Sequence, residues 1–356
     1  MITFPMLPNV EINLFLLIFI GFAAGILSGF AGVGGFIVTP ALIILGFPAN
    51  FAVGTSLTWV TGNSVVGALR HRKLGNVDMK LGLVLLVAAM SGMEAGVRIL
   101  NWIRNIGLAD EVVLSISICM LLIVGTYTLS ESIARKRQLD KMLAEQEQLP
   151  PAMRATSLSQ KLQSINIPPI LHFVKSGVTI SLWIILAIGF FSGMLAGIIG
   201  VGGGFIMVPS LVYLIGLPSF MAVGTDLFQI IFSAAYGCVR HTMSGNVIIF
   251  AALIMVLASS IGVQYGVIVT RYVRGVSVRI ILGFSILSFA VGTILKLLSL
   301  LLEKATAGLE IGSLVVTFGG IWLTVMMILV LFTVALRYRS GRYIPTWLES
   351  LVAKDN

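Results

Sequence analysis

Long apolar stretches dominate this chain. Because a helix needs about 20 apolar residues to cross the hydrocarbon core of a bilayer, most of these stretches predict transmembrane helices. Two of them, 34–47 and 204–217, are too short for a comfortable crossing and follow glycine clusters, so we expect half-helices or arms of re-entrant hairpins. The stretches are 12–30, 34–47, 52–69, 81–103, 110–132, 178–199, 204–217, 221–239, 247–270, 277–299 and 311–336.

The composition agrees with this pattern. Of the 356 residues, 58% are hydrophobic and 10% are charged, and the mean hydropathy is +1.05. These values predict an all-α polytopic membrane protein. They leave no room for a large soluble catalytic domain.

The basic residues indicate an orientation. Most of the 23 Lys and Arg residues fall in four groups, at 70–80, 134–177, 270–279 and after 336. If each short stretch returns to the side that it left, all four groups lie on one face, which the positive-inside rule assigns to the cytoplasm. The polar stretch 133–177 and the C-terminus are therefore predicted to be cytosolic. The distribution explains the positive charge without a nucleic-acid partner, and contact with anionic lipid is compatible with it.

The chain contains an internal repeat at an offset near 170 residues. Matched segments include Gly32-Val-Gly-Gly-Phe36 with Gly200-Val-Gly-Gly-Gly-Phe205, Gly46-Phe-Pro48 with Gly216-Leu-Pro218, Ala52-Val-Gly-Thr55 with Ala222-Val-Gly-Thr225, Arg70-His71 with Arg240-His241, and Gly75-Asn-Val77 with Gly245-Asn-Val247. Several collinear matches of this kind indicate duplication.

The repeat defines the domain organisation. We predict a first transmembrane repeat at 12–132, a cytosolic linker at 133–177, a second repeat at 178–299 and an appended helix at 311–336. Each repeat has an odd number of crossings, so the two repeats must have inverted topology. Inverted repeats with interrupted helices are typical of alternating-access transporters.

The glycine clusters are candidates for the substrate site. Glycine leaves backbone N–H groups uncovered, and a helix N-terminus carries unpaired donors and a positive dipole end. Two such helix N-termini that face one cavity would bind a small oxyanion. The alternative interpretation is that the glycines only permit close helix packing. The candidate substrate ligands are Gly32, Gly34, Gly35, Gly202, Gly203 and Gly204.

The polar residues after each short stretch are further candidates. The hydroxyl groups of Thr55, Ser56 and Thr225 could coordinate substrate oxygens. Asp226 replaces the repeat-related Ser56, and an ionisable residue within a membrane segment suggests a proton carrier. The alternative for Asp226 is an N-cap of the stretch 221–239.

Three other ionisable residues have two interpretations each. Glu94 could carry a proton or could pair with Arg98 at the i,i+4 spacing. His71 and His241 occupy matched positions and could act as titrating gates. Their alternative role is to cap helix ends at the membrane interface.

The sequence contains no enzyme signature. It has no HExxH motif, no serine in a G-x-S-x-G setting and no spacing typical of a metal site. The isolated Cys119 and Cys238 suit apolar packing. We therefore predict no catalytic residues, no metal and no cofactor.

The doubled motif resembles the sulfite exporter TauE/SafE family, also called the toluene sulfonate uptake permease family. The resemblance rests on the Gly-Val-Gly-Gly-Phe…Pro40 and Gly-Val-Gly-Gly-Gly-Phe…Pro209 motifs, each followed by Ala-Val-Gly-Thr and then Arg-His…Gly-Asn-Val, and covers 12–299. It implies proton-coupled transport of sulfite, organosulfonates or related anions across a bacterial-type inner membrane. It also implies that the glycine motifs, Thr55, Ser56 and Thr225 form the substrate region.

Two departures from the family pattern leave the exact anion open. The first glycine cluster is one residue shorter than the second, and Asp226 stands where a serine-type residue is more usual.

Three functional hypotheses follow from the sequence. The first is a secondary active transporter, in which substrate binds between the two glycine-headed helices. The alternatives are an anion channel on the same scaffold and a scaffold protein that acts through its linker. A homo-oligomer is compatible with each.

Overall fold

The computed structural model describes residues 2–4, 7–31, 34–144, 167–272, 275–302 and 306–340. This part of the chain contains eleven helices, which confirms the predicted helical polytopic architecture. In chain order they are α1 (Leu14–Ala31), α2 (Gly35–Ile44), α3 (Ala49–Lys73), α4 (Met79–Ile106), α5 (Ala109–Ala144), α6 (Leu182–Ile199), α7 (Gly204–Ile215), α8 (Ser219–Met243), α9 (Ile249–Tyr272), α10 (Gly275–Leu301) and α11 (Thr306–Arg339). The second part of α7, Ser210–Ile215, is π-helical.

Two short antiparallel hairpins accompany the helices. Strands β1 (Ile2–Phe4) and β2 (Leu7–Ile12) precede α1, and β3 (Ile170–Phe173) and β4 (Val178–Ser181) precede α6. The all-α architecture thus carries one short hairpin before the first helix of each repeat, which the sequence pattern did not predict.

Seven helices of the described chain are long and apolar enough to cross a membrane, judged by length and composition. They are α4, α5, α6, α8, α9, α10 and α11. The helices α2 and α7 are shorter apolar helices, as their sequences predict. The stretches 12–30 and 52–69 were expected to cross as well, but α1 is also among the shorter apolar helices and α3 is not among the seven. The chain is therefore a polytopic integral membrane protein.

Matched turns end the two short helices. Gly46 follows α2 with a φ of 95°, and Gly216 follows α7 with a φ of 88°. This left-handed conformation favours glycine and stops a helix. Pro48 and Pro218 then precede α3 and α8, where the fixed φ of proline suits a helix start. The same Gly-x-Pro sequence thus forms the same turn in both repeats.

Helices of one repeat pack closely on helices of the other. Helix α1 packs on α9, and α4 packs on α6. A Cβ atom added to Gly92 in α4 would overlap the carbonyl oxygen of Phe190, and one added to Gly262 in α9 would overlap that of Phe22. Small residues permit such close approach, which stabilises helix pairs in lipid mainly through van der Waals contact.

Repeat-related helices also pack on each other, α3 on α8 and α5 on α10. Gly67 near the end of α3 faces Leu227 near the start of α8, while Gly237 near the end of α8 faces Leu57 in α3. The two helices therefore run antiparallel to each other. Trp59 of α3 is fully buried, and its indole N–H donates to the carbonyl oxygen of Met255 in α9 at 3.2 Å.

Helix α11 lies against α10 and α9. Its Thr324 hydroxyl is 2.6 Å from the hydroxyl of Ser285 in α10, and its Thr317 packs against Gly292. This helix is thus attached to the side of the second repeat through small and polar contacts.

Candidate functional site

The two glycine-headed helices begin next to each other. The rings of Phe36 and Phe205, each in the first turn of its helix, have centroids 5.5 Å apart. A Cβ atom added to Gly35 would overlap the carbonyl oxygen of Val201. We call the segments 34–36 and 200–205 the helix junction. The repeat thus brings its two interrupted elements together inside the protein.

The second glycine cluster has a backbone that requires glycine. Gly200, Gly202 and Gly203 have φ values of 79°, 79° and 89°, in a region that side chains disfavour. A Cβ atom on Gly200 would also lie 2.7 Å from the Cα of Val53. Substitution is therefore opposed by both conformation and space.

The helix starts at the junction carry uncapped donors. Neither Gly34 before α2 nor Gly203 before α7 has a side chain that caps its helix. The first N–H groups of a helix have no partner four residues back, although those of Ile37 and Ile206 donate to the carbonyl oxygens of Gly34 and Gly203 at 3.4 and 3.0 Å. The N–H groups before them in each first turn are the candidate donors for a ligand. Of the other predicted ligands, Gly202 and Gly204 lie in the junction, whereas Gly32 lies outside the described residues.

Buried hydroxyl and amide groups surround the junction. The Ser56 hydroxyl donates to the carbonyl oxygen of Gly200 at 2.8 Å, and the Ser192 hydroxyl donates to that of Gly203 at 3.0 Å. The Asn63 amide donates to the Ser28 hydroxyl at 2.5 Å. The Thr39 hydroxyl is buried and has no partner among the described residues. Ser56, predicted from its motif, is therefore at the junction.

The two predicted threonines contact the opposite repeat. The Thr55 hydroxyl accepts a hydrogen bond from the backbone N–H of Ile248, and the Thr225 hydroxyl accepts one from Asp78, both at 3.0 Å. One lone pair of the Thr55 hydroxyl is thus engaged at the start of α9, and one of the Thr225 hydroxyl at the start of α4. A role of these threonines as substrate ligands stays a prediction.

Asp226 is fully buried inside α8. One carboxylate oxygen accepts from the Gln229 amide at 3.3 Å, and the other has no hydrogen-bond partner among the described residues. The alternative interpretation of Asp226 as an N-cap is wrong, because α8 begins at Ser219, directly after Pro218. Its carboxyl group is thus an intrahelical, buried polar group without a cation partner in the described chain.

His71 and His241 lie in the last turns of α3 and α8. Both are buried, so the structure places them inside the protein and not in an exposed interfacial cap. A Cβ atom on Gly224 would lie 3.1 Å from the Cβ of His71, and one on Gly54 would lie 3.0 Å from that of His241. Each histidine therefore packs on a glycine of the opposite repeat. Their gating role stays a prediction.

Glu94 has more partners than its sequence spacing predicts. The expected ion pair with Arg98 is present at 2.6 Å. Arg240 of the other repeat also donates to both carboxylate oxygens, at 2.7 and 3.1 Å, and the Tyr236 hydroxyl donates at 2.8 Å. Sequence spacing shows only the local partner. The other two come from packing of α4 on α8.

A second polar group between the repeats was not predicted. The Asn246 side-chain oxygen accepts from the Asn50 amide at 2.8 Å and from the Arg104 guanidinium at 3.1 Å. Within the first repeat, the Asp110 carboxylate accepts from the backbone N–H of Ala49 at 2.6 Å, at the start of α3. The doubled Gly-Asn-Val motif was the available signal for Asn246.

A small apolar cleft adjoins the junction, and its volume of about 20 Å³ is close to that of one water molecule. Its walls come from α5, α6, α7 and the start of α2, and they include Phe36, Met120, Leu195, Ile199, Gly203 and Phe205. Within the described ranges, no group of three or more His, Cys, Asp or Glu side chains could hold a metal ion. The site chemistry available there is hydrogen bonding and packing.

Comparison with known proteins gives consistent matches. The family model described as Sulfite exporter TauE/SafE matches residues 17–295. Probable membrane transporter protein YunE of Bacillus subtilis is 26% identical over 265 residues, which cover 72% of this chain and 88% of the relative. Probable membrane transporter protein MJ0441 of Methanocaldococcus jannaschii is 27% identical over 206 residues, covering 55% of this chain and 60% of the relative. No solved structure matches the chain significantly.

Proposed function

The chain belongs to the sulfite exporter TauE/SafE family, and from this membership we propose that it is a secondary active transporter for a small sulfur-containing anion such as sulfite or an organosulfonate. The observation that carries the proposal is the meeting of the two glycine-headed helices, with Phe36 and Phe205 5.5 Å apart. Two uncapped helix starts in one buried place are suited to a negative ligand.

The proposed substrate site consists mainly of backbone donors. The N–H groups of the first turns of α2 and α7 point from their helix starts toward the junction region. The hydroxyl groups of Ser56 and Ser192 donate to carbonyl oxygens of the junction and so hold its backbone in place, and the Asn63 amide lies beside it. Donors in a site of low dielectric bind an oxyanion without a fixed positive side chain.

The transport mechanism that we propose is alternating access by inverted repeats. The antiparallel packing of α3 on α8 supports an inverted topology of the two repeats. In inverted repeats a two-fold axis in the membrane plane relates equivalent helices, which therefore run in opposite directions across the membrane. The reciprocal packing of α1 on α9 and of α4 on α6 supports the same axis. In this mechanism the repeats rock around the junction and expose it to one side at a time.

Asp226 is our candidate for proton coupling. It is buried in the second repeat, and one of its oxygens has no partner among the described residues. A carboxyl group that exchanges a proton near an anion path can couple the two movements. Glu94 is the second candidate, although its carboxylate is already bound by two guanidinium groups.

The proposed location is a bacterial-type cytoplasmic membrane, with 133–177 and the C-terminus in the cytosol. Arg70, Arg72 and Lys73 in the last turn of α3 are exposed and would face the cytosol under the positive-inside rule. Cysteine labelling of single-cysteine variants in intact cells measures this orientation.

Sulfite flux in proteoliposomes tests the transport proposal. Purified protein is reconstituted, and sulfite movement is recorded with and without an imposed pH gradient. We expect accumulation that depends on the gradient and on the protein. Flux that only dissipates the sulfite gradient would indicate a channel, and no flux of sulfite, methanesulfonate or taurine would refute transport of sulfur anions.

A further inference from the structure

Glu94 lies in a cradle of hydrogen-bond donors. Its carboxylate accepts from Arg98 Nε at 2.6 Å, from Arg240 Nε and Nη2 at 2.7 and 3.1 Å, and from the Tyr236 hydroxyl at 2.8 Å. Four donors on two helices of different repeats thus converge on one anionic group. We call Arg98, Tyr236 and Arg240 the anion cradle.

The positive charge of the anion cradle exceeds the negative charge of the Glu94 carboxylate that it binds. Two guanidinium groups face one carboxylate, so the four side chains together retain one positive charge. Bidentate guanidinium binding suits any planar or tetrahedral oxyanion as well as a carboxylate. The cradle is therefore chemically able to bind an external oxyanion in place of Glu94.

The cradle is also reachable from outside the protein. The exposed fraction is 21% for the Glu94 side chain, 31% for Arg240 and 74% for Arg98. Because none of the three side chains is fully buried, an external anion can approach the guanidinium groups at the protein surface.

A polar stripe connects the cradle to the protein interior. Five polar residues of α8 recur at spacings of three and four, which places them on one helix face. The first three are buried, and the last two belong to the cradle. In order from the interior they are Asp226, Gln229, Ser233, Tyr236 and Arg240. The cradle thus lies at the outer end of a polar path along α8.

The cradle is present in only one of the two repeat-related places. Gly92 and Gly262 make equivalent contacts, with Phe190 and Phe22, and this register matches Glu94 with Gln264. Arg70 is the counterpart of Arg240, but Val66 stands at the position of Tyr236. The site around Arg70 and Gln264 therefore has no carboxylate that could compete with an anion. The two ends of the transporter differ in this respect.

We propose that the transported oxyanion binds to Arg98, Tyr236 and Arg240 at one mouth of the pathway by displacing the Glu94 carboxylate. Glu94 then acts as an internal competitor, which weakens binding and speeds release into or out of the path. This inference rests on the proposed function for the identity of the anion, which is a small sulfur oxyanion.

Sulfite binding and flux in four proteins test the proposal. The dissociation constant is measured by calorimetry on the purified full chain, and KM and Vmax are measured in proteoliposomes. Glu94→Gln removes the competitor, so we expect the dissociation constant and KM to fall about tenfold and Vmax to decrease. Arg240→Gln removes two donors, so we expect both constants to rise about tenfold.

The control is Gln264→Ala, at the place related by the repeat, which should leave both constants unchanged. Opposite changes in the Glu94 and Arg240 variants identify competition, because a structural role would impair both in the same direction. Unchanged constants, or a rise in both variants, overturn the cradle while leaving transport intact. If the dissociation constants change in the expected directions but no protein shows sulfite flux, the anion cradle is supported and the transport function is refuted. Absence of both binding and flux in the wild type refutes both.

Discussion

The Thr55 hydroxyl accepts a hydrogen bond from the backbone N–H of Ile248 at 3.0 Å, and the repeat-related Thr225 hydroxyl accepts one from Asp78 at the same distance. Ile248 directly precedes α9, and Asp78 directly precedes α4. Each threonine therefore satisfies a donor at a helix start in the other repeat, where N–H groups have no helical partner. The Ala-Val-Gly-Thr motif and the Gly-Asn-Val motif, which are duplicated together, form one reciprocal contact.

Thr55→Val and Thr225→Val should each destabilise the protein. Valine keeps the shape but leaves a buried N–H without its acceptor, which costs about 1–3 kcal/mol. Thermal unfolding of the detergent-solubilised protein should show a lower midpoint for both. Thr61→Val is the matched control in α3, because the Thr61 hydroxyl donates only to Leu57 of its own helix. An equal decrease in the control would argue against the reciprocal contact.

Gly92→Ala and Gly262→Ala should weaken the packing of α4 on α6 and of α1 on α9. Each added Cβ would overlap a backbone carbonyl oxygen, of Phe190 or of Phe22, and such overpacking typically costs about 1–3 kcal/mol. The unfolding midpoint of both variants should fall by a similar amount because the contacts are equivalent. Gly319→Ala, where an added Cβ has no neighbour within 4 Å, should behave like the wild type.

The helices could be predicted from the sequence because apolar runs report directly on membrane burial. Their ends were less predictable: α5 continues to Ala144, past the apolar run, through charged residues that are good helix formers. The hairpins before α1 and α6 escaped prediction because strands of three to six residues leave little periodic signal.

The candidate site was predictable only where a motif marks the backbone. The described glycines of both clusters lie at the junction, as the repeated motif indicated, and so does Ser56, which follows the repeated Ala-Val-Gly-Thr motif. The partners of Glu94 in α8 were not predictable, because 146 residues separate Arg240 from it and only packing of α4 on α8 brings them together. The engagement of Thr55 with a backbone N–H likewise depends on a contact between repeats.

Bulky residues at the junction should abolish sulfite flux. Gly35→Leu would place a side chain against the Val201 carbonyl, and Gly203→Leu would force a side chain into a φ of 89°. The left-handed conformation costs about 1–2 kcal/mol for residues other than glycine. Both variants should still insert into the membrane, as checked by fractionation and gel filtration. Gly308→Ala is the control, since an added Cβ there meets nothing within 4 Å. Normal flux in both junction variants would place the substrate elsewhere.

Asp226→Asn should separate anion flux from the proton gradient. Asparagine has nearly the same shape and can keep the contact with Gln229, but it cannot exchange a proton. We therefore expect the variant to equilibrate sulfite across proteoliposomes without accumulating it when a pH gradient is imposed. Glu310→Gln is a suitable control, because Glu310 is an acidic residue in α11 that pairs with Lys296 at 3.4 Å. It should retain gradient-driven accumulation. Accumulation by Asp226→Asn at the wild-type level would exclude this carboxyl group as the coupling site and would make Glu94 the next residue to test.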